Sequence, residues 1–282
     1  MSGCTRKLGM KTFLIVLVLA ALSIHCKPSG APSALGEGDS IRIRFSMEPE
    51  TVLGYKGTST DEMSFYGMTI SNVHTDEVTL KLREKTEEGN YTIRIKYDKS
   101  SDRMIRSGEM HQRSAQIKPE GRTVEVDVSP AGEIVEARGV IPGLPEGGLE
   151  DYVGKWFAEL PEKAVGIGQS WEKDVSDTTA AGKVEGTITM TLDGIGEEKG
   201  MAVAYLSGDV VTSIEREAAG GVVKGDATAN IEASVALDGG YVIKYKMESE
   251  FKGSMTGVNP ETAREETTDI SRISYTTVEL IK

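Results

Sequence analysis

From Ile41 onward, apolar and polar residues alternate one by one in run after run of the chain. Clear examples are residues 41–46, 78–83, 91–97 and 124–128, and Gly, Asn, Asp or Pro residues flank them. A period of two places every second side chain on the same face of a strand. The pattern therefore predicts a mainly β protein, built from antiparallel strands with one face in water.

Turn residues divide these runs into hairpins. Ser129-Pro130-Ala131-Gly132 joins two runs, with proline and glycine at the positions that a tight turn favours. Residues 87–90 and Asp238-Gly239-Gly240 have the same character. In the last run, Ile273 and Tyr275 are out of phase with Val278 and Leu280, which predicts a β-bulge near Thr276 and Thr277.

One segment has a helical period instead. Apolar residues recur there at helical spacing, and they are Leu149, Tyr152, Val153, Trp156, Phe157 and Leu160. Glu150 and Asp151 lie in the first turn, where the helix dipole favours acidic residues, and Pro161 follows the last apolar position. The spacing predicts an amphipathic helix over residues 149–160.

Together these elements predict a large curved antiparallel sheet, or half-barrel, with one amphipathic helix packed on its concave side. We expect a single β-rich domain over residues 40–282. Its two halves, about 40–145 and 162–282, would be bridged by the helix.

The first 25 residues have the character of an export signal. Arg6, Lys7 and Lys11 precede an unbroken apolar run of ten residues, FLIVLVLAAL, which is the length of a signal-peptide core and too short for a membrane-spanning anchor. Residues 26–39 are small, polar and Pro-containing, and this composition predicts a flexible tether. We therefore expect an exported protein of the cell envelope.

Cys26 follows the apolar run directly, and this arrangement resembles a bacterial lipoprotein signal. The resemblance implies that Cys26 becomes the lipid-modified N-terminus and holds the protein on the periplasmic face or the outer surface of a membrane. Leu22 and His25 depart from the usual spacing. The alternative is ordinary cleavage near Ala31 or Ala34, which would release the protein into the periplasm or the medium.

Composition excludes several kinds of function. Removing residues 1–25 leaves 29 basic and 44 acidic residues, a net charge of −15, which argues against a nucleic-acid partner. The only cysteines are Cys4 and Cys26, so the folded body has no thiol for a nucleophile, a disulfide or a metal site. His74 and His111 lack metal-ligand spacing, and we predict no cofactor.

Two stretches carry a resemblance to a known family. Residues 161–171, which end in Gly-Gln-Ser-Trp, and residues 127–134 are similar to a family of uncharacterised bacterial secreted lipoproteins. That family implies a fold but no activity. The predicted architecture also resembles the periplasmic half-barrels that carry lipoprotein acyl chains, which is an analogy of shape.

The aromatic side chains around the predicted helix are the candidate site. Tyr152, Trp156, Phe157 and Trp171 would line an apolar pocket beneath the helix, or else pack as ordinary core. The sequence thus favours a non-catalytic binding module for a lipid, another apolar small molecule or an envelope protein. The alternative is a secreted hydrolase whose active site would bring together His74, His111, a serine and a carboxylate.

Overall fold

The computed structural model describes residues 40–65, 68–106, 109–111, 117–144, 148–179, 182–218, 221–258 and 264–282. Its strands are β1 (Val52–Phe65), β2 (Met68–Lys85), β3 (Tyr91–Arg106), β4 (Glu109–His111), β5 (Thr123–Val128), β6 (Ile134–Arg138), β7 (Ser170–Thr179), β8 (Gly182–Glu198), β9 (Met201–Ala218), β10 (Gly221–Ala236), β11 (Val242–Val258) and β12 (Glu265–Leu280). The helix α1 covers Leu149–Gly154.

All strands belong to one antiparallel sheet, which confirms the predicted fold class. Eleven strands follow the order β6-β5-β3-β2-β1-β12-β11-β10-β9-β8-β7, and the short β4 pairs with β3. The predicted hairpin turns at residues 87–90, 129–132 and 238–240 each connect neighbouring strands. Gly239 and Gly240 adopt positive φ angles of 110° and 60° in the β10–β11 turn, a conformation that other residues rarely take.

The sheet must be strongly curved, since side chains near its two opposite edges are in contact. Lys173 on the edge strand β7 lies 2.7 Å from Glu133, in the turn between β5 and β6 at the opposite edge. A flat sheet of eleven strands would separate its edges by roughly 48 Å at the usual spacing. The sheet therefore curls on itself, and the face that carries Lys173 is the concave one.

One end of the concave face is closed by two segments. Residues 40–47 cross it, with backbone hydrogen bonds from Phe45 to Pro130 and from Ser46 to Gly239. Ile43, Phe45 and Met47 are the buried side chains of this segment. The second segment is α1 with the residues that follow it. The main apolar core lies between these segments and the sheet.

Residues 41–46 differ from their prediction as a strand of the sheet. Their alternation is real, because the segment is extended and buries one side. Two of its amides donate to carbonyls in turns, those of Pro130 and Gly239, and Ile41 pairs with the single residue Val165. These contacts replace the pairing with a neighbouring strand. An extended segment that lies on a core shows the same period as a sheet strand.

The helix is shorter than the predicted 149–160. It ends at Gly154, a residue that weakens helices, and the next two hydrogen bonds are tighter ones from Trp156 to Val153 and from Phe157 to Gly154. The apolar stripe is nevertheless buried as expected. Its large rings contact different parts of the core, since Phe157 packs edge-on against Phe45 and Trp156 packs against Tyr55.

The predicted bulge at Thr276 and Thr277 is absent. β12 pairs without a break with β1 and with β11 through both residues. The change of phase has another cause: Ile273 and Tyr275 lie on the convex face, 39% and 48% exposed, whereas Val278 and Leu280 are buried on the concave face.

Candidate functional site: the polar belt and the apolar floor of the concave face

Strand register brings polar side chains into two adjacent rows across the middle of the concave face. These rows, here called the polar belt, contain Thr276, Ser59, His74 and Asp102 in one row and Ser249, Ser274, Asp61 and Asn72 in the next. On one side of the belt lies the closed end with its main core. A polar band inside a concave apolar face is expensive unless it is hydrogen-bonded or meets a ligand.

On the other side of the belt lies a second apolar cluster, here called the apolar floor. Its members are Met63, Val184, Ile214, Val223, Ala227, Phe251, Met255 and Ile270. Met63 and Met255 are half-buried, as are Met104 and Met247 in the belt rows. Methionine is flexible and polarisable, so a face lined by it can adapt to apolar partners of different shapes.

Much of the belt is internally satisfied. Arg272 donates to Asp61 through Nη2 at 2.6 Å and Nε at 3.2 Å, and Ser274 also donates to Asp61. Ser59 Oγ lies 3.1 Å from Thr276 Oγ1. These bonds fix the centre of the belt, on β1 and β12.

A buried ionic cluster joins the belt to the closed end. Asp76 Oδ2 accepts hydrogen bonds from Lys155 Nζ at 2.8 Å and from Tyr152 OH at 3.1 Å. His74 Nε2 lies 2.9 Å from Asp76 Oδ1 and 3.0 Å from Tyr152 OH. The Lys155 ammonium also lies over the rings of Tyr152 and Trp156, at 4.6 and 4.9 Å from their centroids. The cluster therefore attaches α1 and the residue after it to β2.

Burial and charge act in opposite directions on these groups. Burial by itself would raise the pKa of Asp76, but Lys155 and His74 outweigh it and hold that pKa below its usual range. The pKa of Tyr152 is raised, first by burial and then by Asp76. Asp102 is half-buried, and burial raises its pKa. Asp76 is therefore an ionised, structural carboxylate at neutral pH.

Besides Asp76 Oδ1, which is close to His74, three buried polar atoms beside this cluster make no hydrogen bond of good geometry in the part of the chain that the structure describes. They are Tyr97 OH, Trp156 Nε1 and Ser100 Oγ. Ser100 pairs across the strands with Asp76, and Tyr97 occupies the next position on the same face of β3. Burial raises the pKa of the Tyr97 hydroxyl, and hydrogen bonding from the Trp156 indole N–H opposes that rise, so these two groups partly satisfy each other.

The four aromatic residues of the predicted pocket belong to one cluster. Tyr152, Trp156 and Phe157 are buried in it, and Trp171 packs against it half-buried from the edge strand β7. The Trp156 ring fills the space above Gly57, where a Cβ atom would come within 2.7 Å of it. These rings thus form the packed wall at the closed end.

The residues of the hydrolase alternative are only partly together. Ser59, His74 and Asp102 are consecutive across β1, β2 and β3, but the His74 ring contacts described above are with Tyr152 and Asp76. His111 lies in β4, where its backbone pairs with Met104 of β3. Cys26, the predicted lipid attachment point, lies outside the described residues.

Among the described residues, no group of three or more His, Asp or Glu side chains has an arrangement that would hold a metal ion. No helix within the described ranges has both the length and the apolar character needed to cross a membrane.

Asp76 is the key residue that sequence reasoning missed. It lies in phase with Val78 and Leu80 and so faces the core, where an acidic residue requires a partner. An acid on the apolar phase of a strand was the available signal. The identity of its partners depends on tertiary contacts with Lys155 and Tyr152.

Comparison with known proteins gives little further identification. No protein-family model matches the chain, and no curated protein matches its sequence. Among solved structures, one described as "Lipid-protein interactions in lipovitellin" is similar with a TM-score of 0.44 and 10% sequence identity, over 84% of this chain and 26% of that one. A likeness at this score carries no argument, and the proposals below rest on the geometry of the concave face.

Proposed function

We propose that this protein is an exported, membrane-tethered binding protein that holds a long-chain apolar molecule on its concave face. The observation that carries the proposal is the apolar floor, a methionine-containing cluster on the concave side of a curled sheet, which the polar belt separates from a wall of buried aromatic rings. Tyr152, Trp156, Phe157 and Trp171 would close the ligand site at one end. The ligand would extend from there over the belt and the floor.

Dimensions favour an elongated ligand over a compact one. Asp76, which pairs with Ser100 at the closed end, lies six residues along β2 from Ile70. Ile70 pairs with Met63 of the apolar floor. At the rise of an extended strand this is about 20 Å. A ligand that spans it would contact the aromatic wall, the belt and the floor together.

The tether supports the proposed location. The signal-like residues 1–25 and Cys26, followed by a polar linker, fit a protein that is exported and anchored through an acyl chain. A ligand site on a membrane-tethered domain would lie near a supply of apolar molecules.

Binding of a fluorescent apolar dye such as Nile red tests the proposal. The wild-type protein should bind the dye, and native mass spectrometry should show co-purified lipid. Met247→Glu places a charge on the concave face and should weaken dye binding at least tenfold, since an apolar ligand cannot solvate the carboxylate.

Val211→Glu is the matched control, because Val211 is 58% exposed on strand β9. This variant should bind the dye like the wild type. Equal binding by both variants, or no binding by the wild type, would contradict the proposal. Turnover of short-chain esters, lost in Ser59→Ala and His74→Ala, would instead favour the hydrolase.

A further inference from the structure

Four half-buried methionines lie along the concave face, at positions that the proposed ligand would contact. They are Met63, Met104, Met247 and Met255. Two of them belong to the apolar floor and two to the rows of the polar belt. Because these side chains are only partly covered, a small oxidant in solution can reach their sulfur atoms. Met190 of the main core, in contrast, is 2% exposed.

Each of these methionines has a hydrogen-bond donor beside it. Strand register places one donor side chain directly opposite each of them, in the pairs Met63–Arg272, Met255–Thr268, Met247–Thr276 and Met104–Asn72. Directly opposed residues have Cβ atoms about 5 Å apart on the same face of the sheet. In addition, the Tyr245 hydroxyl donates to the Met247 sulfur over 3.4 Å. A thioether sulfur is a weak acceptor, so these donors would bind a stronger acceptor more tightly.

Hydrogen bonds within the belt leave this donor capacity in place. Arg272 donates to Asp61, and its guanidinium has five N–H groups in all. Ser59 and Thr276 are bonded to each other, and either hydroxyl can be the donor. When Ser59 donates, the Thr276 proton can be directed to another acceptor.

Oxidation of a methionine creates a stronger acceptor at the same place. A peroxide transfers one oxygen atom to the thioether: the O–O bond breaks, an S–O bond forms, the sulfur loses two electrons, and hydrogen peroxide leaves as water. The sulfoxide is polar, and its formation is reversible. Residues 27–282 contain no cysteine, so no thiol competes for the oxidant in the folded body.

From this arrangement we infer that the four methionines form a reversible oxidation site that controls release of the ligand. Their sulfoxide oxygens would accept hydrogen bonds from the opposing donors, and the apolar floor would become a polar surface. An apolar chain would then be released, because covering those oxygens offers it no hydrogen bond in return. The oxidation site has this role only if the proposed function holds, because the same surface must bind the ligand.

The test measures Nile red binding by the full-length protein before and after treatment with hydrogen peroxide, and peptide mass spectrometry locates the added oxygen atoms. Oxidation of all four methionines should weaken dye binding about tenfold, while thermal unfolding stays cooperative. Methionine sulfoxide reductases for both epimers, with a dithiol that is oxidised to its disulfide as the oxygen leaves as water, should restore binding.

A variant that combines Met63→Leu, Met104→Leu, Met247→Leu and Met255→Leu separates these sulfur atoms from other targets. Its dye binding should be the same before and after peroxide, because leucine has no sulfur to oxidise. Met201→Leu is the matched control. Met201 lies where β9 begins, at the closed end, and accepts from the Tyr241 hydroxyl at 3.4 Å. This variant should lose dye affinity on oxidation as the wild type does.

The outcomes separate the oxidation site from the proposed function. If the untreated wild type does not bind the dye, the proposed function is wrong and the oxidation site falls with it. If it binds, and binding is unchanged once all four methionines carry oxygen, the oxidation site alone is wrong. An equal loss of binding by the leucine variant, or loss of cooperative unfolding on oxidation, would also overturn it. So would four methionines that resist peroxide while Met201 is oxidised.

Discussion

Asp76 shows how one residue links the sheet to the helix. It is fully buried, and its contacts with Lys155, Tyr152 and His74 come from the closed end and from its own strand. A buried ion pair contributes little over an apolar pair of the same shape, but losing one partner leaves an uncompensated charge. Asp76 is for this reason a position where loss of charge should be costly.

Asp76→Asn tests this at the residue scale. The variant leaves the Lys155 ammonium without its counterion, and we expect the free energy of unfolding at pH 7 to fall by about 3–5 kcal/mol in urea titrations. The pKa of Asp76 is lower in the folded state than its unfolded value near 3.8, so its contribution is complete above that pH and is lost as the pH falls further.

The stability difference between wild type and Asp76→Asn should accordingly be constant near neutrality and narrow below about pH 4. Glu232→Gln is the control, because Glu232 pairs with Lys246 on the surface and both side chains are more than half exposed. It should change stability little. A difference between wild type and Asp76→Asn that widens in acid would contradict the assignment.

At the scale of elements, Lys173 connects parts of the fold that are distant in the sheet. Its ammonium lies 2.7 Å from Glu133 in the β5–β6 turn and 2.8 Å from Glu159 after the helix. The pKa of Glu159 is raised by burial, against the opposing effect of Lys173. This contact holds the free edge β7 against the opposite edge.

Lys173→Met should therefore loosen β7. The backbone amides of Ser170–Thr179 should exchange hydrogen for deuterium several-fold faster, while those of β1 and β12 at the centre of the sheet should not change. Lys183→Met is the control on the neighbouring strand, where Lys183 pairs with Glu185 and both are half exposed. Unchanged exchange in β7 would show that this ion pair does not hold the edge.

Elements with a local signal were predictable from the sequence, and those with a nonlocal cause were not. The alternating runs and the glycine turns gave the strands and hairpins, because both depend on neighbouring residues. The placement of residues 41–46 outside the sheet depends on core contacts, whereas Gly154 was a local signal for the end of α1 that the apolar stripe, which continues past it, concealed. The polar belt required the register between β1 and β12, which no short stretch of sequence encodes.

The site followed the same division. The aromatic stripe of the helix was visible in its spacing, and it is buried. The buried hydroxyls of Tyr97 and Ser100 come from a strand whose alternation predicted only that it was a strand. Only the tertiary fold brings Trp156 and Asp76 beside these hydroxyls, so the sequence could not show their surroundings.

At the scale of the whole molecule, the proposed tether would determine where the concave face binds its ligand. Cys26→Ala should move the protein from the membrane fraction to the soluble envelope fraction in cells that express it, because acyl chains provide the proposed attachment. Ser29→Ala in the same linker is the control and should stay with the membrane. Retention of Cys26→Ala in the membrane fraction would argue against lipid attachment at this residue.

The pairing of β1 with β12 has a consequence for the order of folding. These strands lie in the middle of the sheet, yet Tyr55 registers with Leu280, so the centre of the sheet is built from strands at opposite ends of the described chain. Contacts of such long range form slowly. Until β12 has been synthesised, β1 lacks one of its two neighbouring strands and the two halves of the sheet are not joined. A newly synthesised chain would thus remain incompletely folded until β12 emerges, a delay that would help the export proposed from residues 1–25.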